Sequence, residues 1–370
     1  MIDFRYHLVS LISVFLALAV GIALGAGPLK ETIGDTLTGQ VDQLRTEKDE
    51  LRTQLDGTTG DLTDAREFID ASGPALLSGA LADRRVAVVA LGDVPEAERT
   101  AVDDRLEQSG ATVTARATMT DAWYDPDLRS FRNALVGLLI ENLDPAPAAD
   151  ATLDEQLAQA LVQGLTGADP ASPDALTADA TNVLAILSQG DNPMITLAEP
   201  VVTGADAIVV LAVPTQDVAA DATTPTPTPD DAVASAQVAV LTAAQDLSEG
   251  AVLADGSRGN GSLVDVVLAT DALSSRLTTV SGVDQVTGQV SVPLALAARI
   301  AGTIGHYGSG DGETAAPPAV ELAPVDRTPV VPPEGAPDGS GDGTGDGTDG
   351  TAGTDQTEGA AADATTGTGG

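Results

Sequence analysis

The N-terminal part of the chain contains a stretch of 22 residues without a charged side chain, from Leu8 to Leu29. A helix of this length, rising about 1.5 Å per residue, spans roughly 33 Å and can cross a bilayer. We predict a transmembrane signal anchor at 8–29, a short cytoplasmic N-terminus at 1–7, and the rest of the chain on the outer side. The alternative is a cleaved signal peptide, which usually has a shorter apolar run and an Ala-x-Ala site.

Small residues recur at every fourth position of this stretch, at Ala17, Gly21 and Gly25. They fall on one face of a helix, where small side chains allow two helices to approach closely. This pattern favours dimerisation within the membrane. The alternative is that Gly and Ala are simply common in membrane helices.

A heptad pattern follows the apolar stretch and predicts a coiled coil over residues 30–70. Charged residues crowd the other positions, and we expect Gly57 and Gly60 to interrupt the pattern. The alternative to a parallel homodimer is one amphipathic helix packed on its own domain. The proposed core positions are Leu37, Val41, Leu44, Lys48, Leu51 and Leu55.

The region from 84 to 308 has the alternating strands and helices of an α/β domain with a mostly parallel, three-layer sheet. The predicted strands are VAVVALG after Arg85, ATVTARA at 111–117, DAIVVLAV at 206–213 and SLVDVVLAT at 262–270. The predicted helices lie at 95–110, 125–140, 153–165, 172–189, 230–247 and 292–304.

Composition and motifs argue against several classes of function. The formal net charge of −38 is unsuited to binding nucleic acid, which needs clustered Lys and Arg. Gly92 and the residues after it lack the Gly-x-Gly-x-x-Gly spacing of a dinucleotide site. With no Cys, two His and three Met, a soft-metal site within one chain is not expected. We therefore predict a non-enzyme without catalytic, cofactor-binding or metal-binding residues, although the many acids leave aspartate-based catalysis open.

Two motifs in the α/β region each have two interpretations. His306 lies in GHYGSG just after a predicted helix, so it caps that helix or contacts a ligand. The adjacent Trp123 and Tyr124 form a partner site if they are exposed, or anchor the next helix if they are buried.

Two segments have the composition of unstructured chain. Residues 223–229, TTPTPTP, predict an extended surface loop. Residues 309–370 contain twelve acids against Arg327 and repeat Gly and Asp, which predicts a disordered, solvated tail. Loose capture of divalent cations by these carboxylates is the alternative.

The opening MIDFRYHLVSLISVFLALAVGIALGAGPL, the segment LRTEKDELRTQL, the strand RVAVVAL and the late LAARIAGTIGHYGSG resemble the actinobacterial MctB family over about residues 1–310. The resemblance implies a membrane-anchored envelope protein linked to copper efflux or resistance, located in the outer membrane of mycobacteria. A related corynebacterial protein, SteB, is associated with a cell-division and envelope complex.

These observations leave two hypotheses about function. In the first, this protein is an oligomeric component of the envelope that helps to export copper. In the second, a dimeric anchored scaffold recruits an envelope or cell-division partner through its outer head. The expected partners are membrane lipid, a second copy of the chain and an envelope protein.

Overall fold

A computed structural model of the protein describes residues 4–26, 28–212, 231–259 and 262–330. Two short 3-10 turns, Pro126–Leu128 and Ile140–Asn142, flank one of its helices. The α-helices are α1 (Phe4–Ala26), α2 (Pro28–Leu77), α3 (Glu96–Gln108), α4 (Asp121–Tyr124), α5 (Arg129–Leu139), α6 (Leu153–Thr166), α7 (Ala178–Ser188), α8 (Asp231–Asp246), α9 (Leu263–Leu268), α10 (Asp271–Ser274) and α11 (Val286–Ile300).

The strands form one large sheet and one small hairpin. They are β1 (Arg85–Ala90), β2 (Thr112–Met119), β3 (Ala168–Asp169), β4 (Ser172–Leu176), β5 (Ile195–Leu197), β6 (Ala207–Leu211), β7 (Ala251–Ala254), β8 (Thr278–Val280) and β9 (His306–Tyr307). The order in the large sheet is β5-β2-β1-β6-β7-β8-β9. Its neighbours are parallel except for the antiparallel edge strand β5, while β3 and β4 form the separate antiparallel pair. The prediction of a mostly parallel α/β sheet is confirmed.

Helices cover both faces of this sheet, which gives the head two apolar cores. On one face, Trp123, Leu157 and Val240 pack with the β1 and β6 side chains that point their way. On the other face, Leu106 of α3 and Leu296 of α11 pack on the alternate residues of the same strands. Strands buried on both faces carry continuous apolar runs, which is why β1 and β6 were predictable from sequence.

The predicted strand at 262–270 was wrong, because this segment contains the helix α9. Leu263, Val264 and Val267 are its buried residues, a spacing that puts them on one helical face. The carboxylate of Asp255 accepts a hydrogen bond from the backbone N–H of Leu263 at 3.0 Å and so caps the helix start. The β-branched composition of this segment predicted a strand, but the burial of one helical face and the cap from Asp255 favour a helix.

Two predicted helices differ in their bounds. The segment predicted as helix from 172 begins with strand β4, and its helix α7 starts only at Ala178, where Thr177 caps it through its hydroxyl. The last helix, predicted at 292–304, is α11 and runs over Val286–Ile300. Pro293 lies inside it, and a proline inside a helix is a poor guide to where that helix begins.

Residues 309–330 correct the predicted boundary of the disordered tail. They form an extended strap on the head, in which Val320 and Leu322 pack against the core beneath α11. The buried guanidinium of Arg84 donates to the carbonyl of Ala323, and Arg327 makes a two-pronged ion pair with Asp206 at 3.0 and 2.8 Å. A few apolar and basic residues thus fix a segment whose average composition predicted disorder. Residues 331–370 and the loop at 223–229 lie outside the described residues.

Replacing Arg327 should release this strap without unfolding the head. The Arg327 side chain is 23% exposed and that of Asp206 16%, so the pair is partly screened, and Arg327→Ala should cost about 1 kcal/mol. Limited proteolysis should then cut within 315–330 faster than in the wild type. Glu321→Ala, exposed in the same strap, is the matched control, and equal cleavage of the wild type and both variants would contradict the assignment.

Candidate interaction surface and the cleft at the carboxyl edge of the sheet

The helix α2 carries an exposed apolar stripe from Leu37 to Leu62, which we call the seam. It consists of the predicted core positions Leu37, Val41, Leu44, Lys48, Leu51 and Leu55, together with Leu62 one heptad later. Its leucines are 49% to 65% exposed, an unusual fraction for a regular array of large apolar residues. The helix is continuous through Gly57 and Gly60, so the expected interruption does not occur in the backbone.

Among the described residues, the ion pairs that Arg45 and Arg52 form beside the seam are local to α2. Arg45 pairs with Asp42 at 3.2 Å and Arg52 with Asp49 at 3.9 Å, each one helical turn apart. Such exposed pairs contribute roughly 0.3–0.5 kcal/mol each to a helix. Neither helix propensity nor these ion pairs explains why the seam positions are occupied by large apolar residues.

The small residues of α1 lie on a free surface. A Cβ added at Gly21 or Gly25 would find no heavy atom within 4 Å, and the helix from Phe4 to Gly25 has a mean hydropathy of 2.6 with none of it buried. This is the one described helix that is long and apolar enough to cross a membrane. Ala17, Gly21 and Gly25 therefore remain available for close helix contact.

The last turns of α2 are locked to the head. Arg105 of α3 is 7% exposed, and its guanidinium forms an ion pair with Asp70 and donates to Gln108 at 2.8 Å. A Cβ at Gly73 would lie 2.7 Å from the Arg105 guanidinium, so this glycine permits the close contact. Arg66 also donates to Gln285 at the start of α11, at 2.5 Å. The seam therefore ends where the contact with the head begins.

A cleft of about 550 Å³ opens at the carboxyl ends of β7, β8 and β9. This is the edge at which open α/β sheets usually bind ligands. Its walls include Ser257, Arg258, Ser281, Gln285, Ser309 and Gly310.

An ion network holds one wall of this cleft. Arg258 donates to Asp265 at 2.8 Å and lies 3.8 Å from Glu313, whose side chain is fully buried. One Glu313 oxygen accepts from Ser281 at 2.9 Å and from the backbone N–H of Gly310 at 2.7 Å. Its Oε1 has no hydrogen-bond partner among the described residues. The glycines of GHYGSG allow this packing, since a Cβ at Gly310 would lie 2.6 Å from Arg258.

Asp255 lies beneath the cleft and is 1% exposed. Burial raises its pKa, and hydrogen bonds from Ser262 at 2.7 Å and from the N–H groups of Gly256 and Leu263 oppose that rise. The sequence analysis did not single out this residue. An Asp directly after the apolar run AVLA, at the end of a strand, was the available indication.

Asp255→Ala should be among the more damaging single substitutions in the head. It removes the cap of α9 and leaves the buried Ser262 hydroxyl without its acceptor, which together should cost about 2–3 kcal/mol. The denaturant midpoint of unfolding would measure this loss. Asp271→Ala, at the exposed start of α10, is the control and should cost under about 0.5 kcal/mol.

His306 makes a structural contact rather than capping the helix that precedes it. Its Nε2 lies 3.0 Å from the carbonyl oxygen of Ser274, the last residue of α10, and its Nδ1 lies 3.0 Å from the Thr279 hydroxyl. A ring that donates from Nε2 and accepts at Nδ1 satisfies both contacts. His306 therefore ties β9 to the end of α10 and is remote from the seam in sequence and in contacts.

The aromatic pair has the anchoring role. Trp123 is completely buried, and the Tyr124 hydroxyl donates to the carbonyl of Leu91 at 2.7 Å. Burial raises the pKa of Tyr124, which stays protonated as that donor. The partner-site interpretation of this pair is wrong.

The match to known proteins extends from the apolar helix α1 to the cleft. The family model described as "Copper transport outer membrane protein, MctB" matches residues 1–318. The chain belongs to the MctB family.

Several mycobacterial members of the MctB family are similar over most of their length. A "Copper transporter MctB" of Mycobacterium tuberculosis (strain H37Rv) is 29% identical over 319 residues, covering 84% of this chain and 98% of that protein. The protein of the same name in Mycobacterium bovis gives the same values. The one in Mycobacterium leprae is 28% identical over 333 residues, covering 85% and 98%.

The MctB match includes every structural feature described above except most of the strap. It takes in α1, the seam, all strands of the large sheet, and the cleft with Glu313. Residues 319–330, which carry the Arg327 ion pair, lie beyond it. The apolar helix α1, the long α2 and the head are thus the parts that this chain shares with the family.

Proposed function

We propose that this chain is a non-enzymatic, membrane-anchored component of a copper-efflux system in the cell envelope, acting as a homodimer or larger oligomer. The observation that carries the proposal is the arrangement of α1, α2 and head. An apolar helix long enough to cross a bilayer is followed by a 50-residue helix with an exposed seam, whose last turns are fixed to an α/β head. This is the geometry of a tether, a stalk and a head.

In this proposal α1 stays in the lipid as a signal anchor, residues before it are cytoplasmic, and the head is extracytoplasmic. The seam of α2 forms a parallel coiled coil, and Ala17, Gly21 and Gly25 provide a second contact inside the membrane. The family description names the outer membrane, which supports an envelope location. A 26-residue seam from Leu37 to Leu62 would hold the head about 39 Å or more from the bilayer.

Copper enters the proposal as cargo of an assembly. Cu(I) prefers thiolate, thioether and imidazole ligands, and the chain has no Cys, two His and three Met. Within the described residues no group of three or more His, Cys, Asp or Glu is placed to hold a metal ion. One membrane helix also cannot enclose a pore, so the route for copper has to run between copies of the chain or through a partner protein.

Deleting the gene tests the proposal. Cells without the protein should hold more copper and tolerate less of it, and re-expression of the wild-type chain should restore both values. A chain lacking residues 1–30, exported by an unrelated signal peptide, should fail to restore them, because the tether is lost. Unchanged copper content and tolerance in the deletion strain would contradict a role in copper efflux.

The alternative is an envelope or cell-division scaffold, and the outer surface of the head favours it. On α5, Phe131 and Leu138 are 38% and 62% exposed and lie seven residues apart on one helical face, an apolar patch that a partner could cover. Crosslinking in cells with Leu138→Asp as the comparison would test this. Loss of a reproducible envelope partner with Leu138→Asp supports the scaffold, while an unchanged set of crosslinked proteins contradicts it.

A further inference from the structure

The charges on both sides of the seam discriminate between the possible orientations of a second helix. With Leu44 at d and Leu55 at a, position g is occupied by Gln40, Glu47, Gln54 and Asp61. Position e is occupied by Thr38, Arg45, Arg52, Thr59 and Arg66. Every charged residue at g is acidic, and every charged residue at e is basic.

In a parallel, in-register pair, each g residue faces the e residue five positions later on the partner helix. This brings Glu47 opposite the partner's Arg52 and Asp61 opposite the partner's Arg66. By symmetry each pair occurs twice, and no like charges meet at these positions. Gln40 faces the partner's Arg45, which is also a compatible hydrogen-bonding pair.

An antiparallel pair juxtaposes g with g and e with e. In any antiparallel register the charged contacts are then acid against acid or base against base. Opposed like charges destabilise such contacts, so the pattern selects against this orientation as well as favouring the parallel one.

The local contacts of α2 leave these side chains available for the second helix. Glu47 accepts from Gln43 at 2.9 Å, and the ion pair of Arg52 with Asp49 is long, at 3.9 Å, with both side chains exposed. Arg66 uses one terminal nitrogen for Gln285, and a guanidinium has further donors for a facing carboxylate.

Lys48 at an a position fits the same arrangement. Its methylene stem can cover the neighbouring leucines while the ammonium reaches the flanking g acid, Glu47 of the partner subunit. One Lys at a lowers stability but favours a two-stranded, in-register pair.

From these observations we propose that the seam of α2 binds the seam of a second copy of the same chain, in parallel and in register, with Glu47–Arg52 and Asp61–Arg66 pairs between the two helices. The shared orientation of α1 in one membrane imposes the same direction on both stalks. This inference rests on the proposed parallel stalk and adds its register and the charge pairs that fix it.

The chain contains no Cys, so single cysteine substitutions give an unambiguous test. Leu37→Cys, Leu44→Cys and Leu51→Cys are introduced one at a time into the full chain in membranes and oxidised. In the proposed pair each of the three forms a disulfide with its own copy. An antiparallel pair can do so at one of these positions at most, and in the register centred on residue 46 it would instead crosslink a mixture of Leu37→Cys and Leu55→Cys. Thr46→Cys, on the opposite face, is the control that should not crosslink.

Charge exchange tests the two interhelical pairs. Glu47→Arg alone and Arg52→Glu alone should each weaken dimerisation about tenfold, and the double variant E47R/R52E should restore it to within about threefold of wild type. Dissociation constants of the detergent-solubilised full chain, measured by sedimentation, provide these values. If the double variant loses as much free energy of dimerisation as the two single variants together, the proposed facing pairs are wrong.

The copper content of the same strains separates this inference from the proposed function. Self-crosslinks at all three positions with no copper phenotype would overturn only the role in efflux. A copper phenotype without self-crosslinks, or with the mixed crosslink alone, would overturn only the parallel pairing.

Discussion

Replacing two leucines of the seam with aspartate should convert a dimeric fragment into a monomer. In the fragment from residue 30 onward, Leu44→Asp with Leu51→Asp places four charges in the apolar contact of the pair. Each buried leucine contributes about 1.5 kcal/mol, so the loss of four should cost the dimer about 6 kcal/mol, roughly a 20,000-fold rise in the dissociation constant. Size-exclusion chromatography with light scattering measures the change.

The control for this experiment adds the same charge to the other side of α2. Thr46 and Thr53 lie opposite the seam, are exposed, and donate only to carbonyls one turn back. Thr46→Asp with Thr53→Asp should leave the fragment dimeric. A monomer in the wild-type fragment, or a dimer in all three, would show that the seam does not hold two copies together.

The largest loss of stability from a single methyl group should occur at Gly288, in the first turn of α11. A Cβ there would overlap the carbonyl of Gly282 and lie 2.8 Å from the backbone nitrogen of Val283, in the turn that joins β8 to α11. Because backbone atoms rather than a flexible side chain block the space, Gly288→Ala should destabilise the head by about 3 kcal/mol. Chemical denaturation would measure this loss of stability, and the dependence of the unfolding free energy on denaturant concentration should stay unchanged.

Gly137 in α5 is the matched control, since it is also helical but has no heavy atom within 4 Å of an added Cβ. Gly137→Ala should stabilise the protein by about 0.5–1 kcal/mol, through lower entropy of the unfolded chain. Opposite signs at the two glycines would support the described packing of β8 and α11. Equal effects would contradict it.

Much of this architecture follows from patterns that a sequence makes visible. The uncharged run of α1, the heptads of α2 and the continuous apolar runs of β1 and β6 are long or regular enough to determine the element. The strands β7, β8 and β9 have four, three and two residues, too few for a period to appear, and they were not predicted. The helix α9 depends on a cap from Asp255, which precedes it by eight residues and comes from the end of β7.

The candidate sites also differ in how far their residues can be recognised from the sequence. The seam is a one-dimensional pattern on one helix, so its residues could be named from the sequence. The cleft joins Arg258, Ser281 and Glu313 from three separate loops, and only the order of the strands brings them together. His306 and the aromatic pair stood out because histidine and aromatic residues are rare in this sequence, and the structure assigns both to packing within the head.

The central claim is that the apolar helix remains in the mature protein and holds the paired stalk at a membrane. Intact-mass measurement of the protein from alkali-washed membranes of its own host tests this most directly. The account predicts a membrane-bound chain that still contains residues 8–29. A soluble chain that begins after about residue 30 would contradict it.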